Sequence, residues 1–157
     1  MSGVGLRSSQ PVDGGVAIVL NNTLDAVEDG RLALLSFFEE LGLETQPIHR
    51  LEVIFEELIT NIVRHGFEAG SEQSIHVRAT AAPGQIELTV EDDGVPFDPL
   101  WALTPEPYTD LETARIGGRG IPLITSLSSS VRYEKPAAGD GAFKPNNRLM
   151  LTVTTEA

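Results

Sequence analysis

At 157 residues, with 41% hydrophobic and 22% charged residues, the chain has the size and composition of one globular domain with a core to bury, and wholesale disorder is excluded. A formal charge of −12 repels nucleic-acid backbones and anionic lipid, so neither direct nucleic-acid binding nor membrane association is expected. There is no cysteine, which excludes disulfides and thiolate metal sites and makes a reducing cytoplasm the expected compartment.

Residues 1–15 lack the apolar core of a secretory signal and read as a flexible N-terminal tail, leaving residues 16–157 as the domain. Val16–Leu20 is a short apolar run with strand character, followed by an Asn21-Asn22 turn. Such runs fall well short of the ~20 residues that span a bilayer. Thr23 is placed to cap a helix over Leu24–Leu41, where Leu24, Val27, Leu34, Phe37, Phe38 and Leu41 recur at helical spacing. Gly30 interrupts that helix, and Gly42 fits the position just past its end.

A second helix is predicted from Gln46 to Phe67, with Leu51, Ile54, Phe55, Leu58 and Ile62 on one stripe, Pro47 in the first turn and Gly66 as the stop. Ser74–Ala81 and Ile86–Glu91 alternate as strands about a Pro83-Gly84 turn, which makes a hairpin. Prolines 96, 99, 105 and 107 punctuate a long loop or lid from Asp92 to Gly120. Ile121–Leu127 resumes as a helix with Pro122 in its first turn. Val131–Tyr133 and Arg148–Thr154 read as two last strands. This order implies an α+β fold, with helices layered on one mixed, mostly antiparallel sheet.

Three blocks carry chemistry. Glu57, Asn61 and His65 fall at i, i+4 and i+8 on the second helix, in one line beside its apolar stripe. A carboxylate there can take a proton from a hydroxyl, and an amide oxygen is a hard ligand suited to Mg²⁺. Taken alone, that pattern is more often a solvated helix edge, and His65 reads best as a helix-end histidine near the negative dipole end. Glu56 falls on the solvent side. Asp92-Asp93-Gly94 ends a buried strand, where a carboxylate can accept from an exocyclic amine and a glycine lets a flat ring approach the backbone; in isolation it is an ordinary turn. Gly117-Gly118-Arg119-Gly120 precedes a helix and offers bare N–H groups to phosphate, with Arg115 and Arg119 adding positive charge. The block has neither the following Gly-Lys-Ser/Thr of a P-loop nor the strand–loop–helix context of a dinucleotide fingerprint.

In that order, ELITNIVRHG (57–66), VEDDGVPFDP (90–99) and IGGRGIPL (116–123) resemble the three nucleotide-binding boxes of the GHKL ATPases. Within that superfamily the chain is similar to the bacterial anti-sigma-factor serine kinases, from about Val16 to Thr154. The resemblance implies a two-layer α/β sandwich of the Bergerat type that binds ATP with Mg²⁺. It implies Glu57 as general base, Asn61 as Mg²⁺ ligand, Asp92 as reader of adenine and Gly94 as a wall of the ring pocket. Gly118 and Gly120 correspond to glycines that let the lid close on the phosphates, and either Arg115 or Arg119 could meet the γ-phosphate. Arg119 and Pro122 depart from the family's usual lid. Arg31, on the first helix, is similar in position to an arginine used at the partner surface.

The function implied is serine/threonine phosphorylation of a STAS-type anti-anti-sigma protein together with sequestration of a sigma factor; homodimers are common in the family, and the sequence itself leaves the oligomeric state open. An ATP-dependent binding module without useful kinase activity needs the same pocket. A detached histidine-kinase catalytic domain is the third reading, and the short lid argues against it.

Overall fold

The computed structural model describes residues 5–65, 74–94, 124, 126–136, 143 and 145–155. In chain order the described elements are β1 (Leu6–Val12), β2 (Gly15–Asn21), α1 (Asp25–Glu40), α2 (Thr45–His65), β3 (Ser74–Ala82), β4 (Gln85–Asp92), β5 (Ser130–Glu134) and β6 (Asn147–Thr154). The strands form one six-stranded sheet in the order β1-β2-β3-β4-β6-β5, every adjacent pair antiparallel. The expected α+β sandwich is present. A mixed, mostly antiparallel sheet was expected, and among the described strands every pairing is antiparallel.

Alternation along the strands decides where the helices go. Val16, Ile18 and Leu20 of β2, Ile75, Val77 and Ala79 of β3, Ile86, Leu88 and Val90 of β4, and Leu149, Leu151 and Val153 of β6 are all buried, and the residues between them are not. These positions share one face, and α1 and α2 close it with Leu34, Phe38, Leu51, Ile54, Phe55, Leu58 and Ile59 in a single core. α1 packs on α2, β1 and β2, and α2 reaches β6. The opposite face carries a row of polar side chains. On it Arg148 bridges Glu91 at 3.0 Å and Glu134 at 2.5 Å.

The segment expected as a flexible tail is a strand over Leu6–Val12, paired along its length with β2. Alternation could not reveal it, because the strand lies at the sheet edge and Arg7 to Pro11 are all exposed. Its Pro11 is tolerated there because one side of an edge strand makes no ladder bonds.

The start of α1 also differs from expectation. Leu24 is the N-cap residue and makes no side-chain cap, while the Thr23 hydroxyl is buried without a hydrogen bond among the described residues. The first amides are served by main chain instead: Ala26 N–H donates to Thr23 O at 3.0 Å. The far end follows the sequence signal. Gly42 adopts φ +72°, its N–H donates to Glu39 O and that of Leu43 to Phe38 O, a two-bond left-handed cap.

Gly30 has a packing reason. A Cβ built on it would stand 2.5 Å from Cζ of Phe55 and 3.2 Å from Cδ1 of Leu20. The glycine therefore lets α1 seat directly against α2 and β2. α2 runs Thr45–His65, close to the predicted span; Gly66 and Phe67 lie outside the described residues. In the β3–β4 hairpin Ala82 pairs with Gln85 across the predicted Pro83-Gly84 turn, with Gly84 at φ +73°. Ile124, Ser126 and Leu127 are helical as expected, and Ile124 reaches the core.

Candidate functional site

Asp92 occupies a core position. It is the fourth member of the buried series Ile86, Leu88, Val90, Asp92, so the pleat turns its carboxylate toward the helix-covered face, where only 4% of it is exposed. A carboxylate there needs donors. Its Oδ1 accepts from Gly94 N–H at 2.9 Å and from Nδ2 of Asn147 at 3.0 Å. No described residue donates to Oδ2. Burial pushes the Asp92 carboxyl above its ordinary value of 3.8, and the bonds from Asn147 and Gly94 act against that shift.

Asn147 is the residue that sequence reading missed. It lies directly across from Asp92 in the β4–β6 register and begins the buried series Asn147, Leu149, Leu151, Val153. Its amide orientation is decided by Tyr133, whose hydroxyl donates to Asn147 Oδ1 at 2.6 Å. With the oxygen so engaged, the NH₂ end faces Asp92. The preceding Asn146 holds the main chain of the same turn. Its N–H donates to Asp92 O at 2.8 Å, and its Nδ2 to Gly94 O at 2.9 Å and Asp93 O at 3.3 Å. Asp93 Oδ1 accepts from Ser74 N–H at 3.2 Å, tying the start of β3 to the same corner. The signal in the sequence was an asparagine at a core-parity position of the last strand.

The hydrogen bond from Gly94 N–H thus ties Gly94 to Asp92. Glu57 and Asn61 are half-buried on α2, beside buried Leu58 and Ile59, while Glu56 is exposed. Helical geometry puts the two on one edge of the buried face. Neither side chain hydrogen-bonds another described residue, and no described bond joins them to the Asp92 corner. The His65 side chain, the lid glycines Gly117, Gly118 and Gly120, and Arg115 and Arg119 lie outside the described residues.

Arg31 is held by two acids. Its Nε and Nη2 reach Glu28 on α1 at 2.9 and 2.6 Å, and Nη1 reaches Glu52 on α2 at 2.5 Å. The hydrogen bonds to Glu28 and then Glu52 raise its pKa further above its already basic value. The guanidinium links the two helices near the surface.

Among the described residues no three acidic or histidine side chains converge as a metal cage. Mg²⁺ that arrives on a nucleotide does not require one, since phosphates and water supply most of its ligands. A half-buried amide oxygen at Asn61 fits the remaining place, and a buried, pre-oriented carboxylate oxygen at Asp92 fits an exocyclic amine.

A family model described as a histidine kinase-like ATPase domain matches residues 20–142. The chain belongs to that family. The match takes in both helices, β3, β4 with Asp92 and Gly94, and the glycine block, while Asn146 and Asn147 lie beyond it. Among curated proteins, the chain is 29% identical over 85 residues to serine/threonine-protein kinase BtrW of Bordetella bronchiseptica, covering 54% of this chain and 60% of that protein. It is 34% identical over 108 residues to serine-protein kinase RsbW of Listeria monocytogenes, covering 66% and 68%. It is 23% identical over 105 residues to an anti-sigma F factor of Priestia megaterium, covering 66% and 71%. No helix among the described residues is long and apolar enough to cross a membrane.

Proposed function

We propose that the protein is an ATP-binding anti-sigma regulatory factor that phosphorylates a serine of a STAS-type anti-anti-sigma partner and also binds a sigma factor. The observation that carries this reading is the Asp92 corner: a buried carboxylate with one oxygen tied by Gly94 and Asn147 and the other without a described donor, in a chain of the histidine kinase-like ATPase family. The names of its relatives, serine kinases and anti-sigma factors, support the rest.

In this reading Asp92 Oδ2 accepts from the adenine amine, and Gly94 lets the ring lie close to the backbone. Asn61 holds Mg²⁺, which neutralises phosphate charge. Glu57 takes the proton of the attacking serine hydroxyl as its oxygen bonds the γ-phosphorus and the bond to the β-phosphate oxygen breaks. Gly118 and Gly120 let the lid close, Arg115 or Arg119 meets the γ-phosphate, and Arg31 serves the partner surface. A cytoplasmic homodimer completes the proposal.

Positioning and charge neutralisation carry phosphoryl transfer, so Glu57→Gln is expected to keep nucleotide affinity and to lower transfer by about 100-fold or more. The measurement is single-turnover transfer from labelled Mg-ATP to a serine-bearing STAS-type protein, with acid-stable label as product. Undiminished transfer by Glu57→Gln removes the general-base role. Acid-labile label points to phosphohistidine instead, and binding without transfer points to a regulatory module.

A further inference from the structure

Opposite the Asp92 corner, on the helix-free face of the sheet, two rings from distant parts of the chain lie face to face. Phe143 stacks on His76, with centroids 3.5 Å apart and planes 10° from parallel. His76 belongs to β3 and pairs across the sheet with Glu91, whereas its neighbour Ile75 pairs with Asp92 and faces the core. The stack and the Asp92 carboxylate therefore sit on opposite faces of the same corner. His76 is half-buried, and its Nε2 lies 3.3 Å from the Ser74 hydroxyl.

Phe143 precedes by three and four residues the two asparagines that hold this corner. Asn146 binds the main-chain oxygens of Asp92, Asp93 and Gly94, and Asn147 binds the Asp92 carboxylate. Neither asparagine can keep these bonds if the chain leading into β6 shifts by an ångström, because hydrogen bonds weaken steeply with misalignment. Phe143 is an apolar anchor on the helix-free face of the strand end, Asn147 is a polar anchor on the core face, and Asn146 between them holds main chain.

We infer that Phe143 is a positioning residue for the nucleotide-base pocket: its stack on His76 pins the chain ahead of β6, and through Asn146 and Asn147 sets the orientation of Asp92. The inference rests on the reading of Asp92 as the group that meets the base. The stack acts on specificity as well as affinity, because a carboxylate held at a fixed distance and angle rewards an amine at that edge of the ring, and penalises a carbonyl there, more than a loosely placed one does.

Three full-length variants test this: Phe143→Ala, Phe143→Tyr and Asn147→Ala, with the double variant of Phe143→Ala and Asn147→Ala. Binding of ATP and GTP is followed by calorimetry, and amide exchange at Gly94 and Asn146 is followed in the nucleotide-free protein. Phe143→Ala is expected to weaken ATP about five- to tenfold and to narrow the ATP-to-GTP ratio, with faster exchange at both amides. Phe143→Tyr restores all three. The double variant binds ATP no worse than Asn147→Ala alone, because both changes release the same carboxylate. Unchanged exchange and affinity in Phe143→Ala, or losses that simply add in the double variant, overturn the inference. Exchange at Gly94 is read without nucleotide, so a wild-type protein that fails to bind ATP refutes the base-pocket reading while the coupling is still measured. A general loss of melting temperature in Phe143→Ala with normal exchange at Gly94 marks a purely structural contact and also overturns it.

Discussion

Asp92 shows how a single position can give up stability for the binding role proposed for it. Its carboxylate sits where β4 would otherwise place another Val or Leu, and burial raises its pKa, so the charged form is held at a cost. Asn at this position keeps an oxygen able to accept from Gly94 and Asn147 and carries no charge. Asp92→Asn is therefore expected to abolish ATP-dependent stabilisation in a thermal shift assay while leaving the unliganded melting temperature unchanged or higher. A large fall in that melting temperature would show instead that the charge itself holds the turn. Helical periodicity alone set Glu57 and Asn61 on one line beside the apolar stripe, where both are half-buried, and only the family resemblance implied a role for them. Asn147 was not legible. Its partner is 55 residues away, and only strand register brings them opposite each other.

The first helix shows a local rule overridden by packing. Glycine costs about 1 kcal/mol relative to alanine inside a helix, so by propensity Gly30→Ala should stabilise α1. Its added methyl would meet the Phe55 ring, which is 1% exposed and has no space to withdraw. Overpacking of this kind typically costs about 1–3 kcal/mol. The net expectation is a loss of about 1 kcal/mol in denaturant unfolding, recovered in part when Phe55 is also shortened to Leu. A more stable Gly30→Ala protein would mean the helices can separate freely at this crossing. The same helix explains the misplaced cap: Thr23 matches the composition of a cap residue, but the chain leaving β2 turns so that main-chain oxygens reach the first amides. The edge strand β1 escaped notice for the converse reason. It buries almost nothing, so no alternation marks it, and it exists because β2 offers a free ladder.

For the whole molecule, acid stability should reflect two groups with opposing pH dependence, the half-buried His76 and the buried Asp92. Burial lowers the pKa of His76 below its ordinary 6.5, against Glu91 and Asp93, which raise it, and with Arg7, which lowers it. The unfolded chain then binds the proton more readily than the folded one. His76 thus contributes stability that is complete above the unfolded value of 6.5 and is lost as pH falls from there through the lower folded-state pKa. Asp92, with a raised pKa, does the reverse and gains stability as pH drops toward 3.8. Melting temperatures of wild type and His76→Gln are expected to diverge between pH 7.5 and pH 5, the wild type falling relative to the variant. A difference independent of pH would show that His76 does not change its protonation on unfolding.

By itself the sequence determined the family, the order of most elements and the likeness of its three blocks to nucleotide-binding boxes. Those properties are written in spacing along one chain segment at a time: helical periods, strand alternation, and short motifs whose residues are neighbours. The tertiary structure alone decided that β1 is a strand, that Gly30 is a seat for Phe55, that Asn147, held by Tyr133, meets Asp92, and that Phe143 stacks on His76 on the other face of the sheet. Each of those depends on which strand lies beside which and on which face a side chain emerges. Sequence spacing cannot state that until the sheet has chosen its order and register.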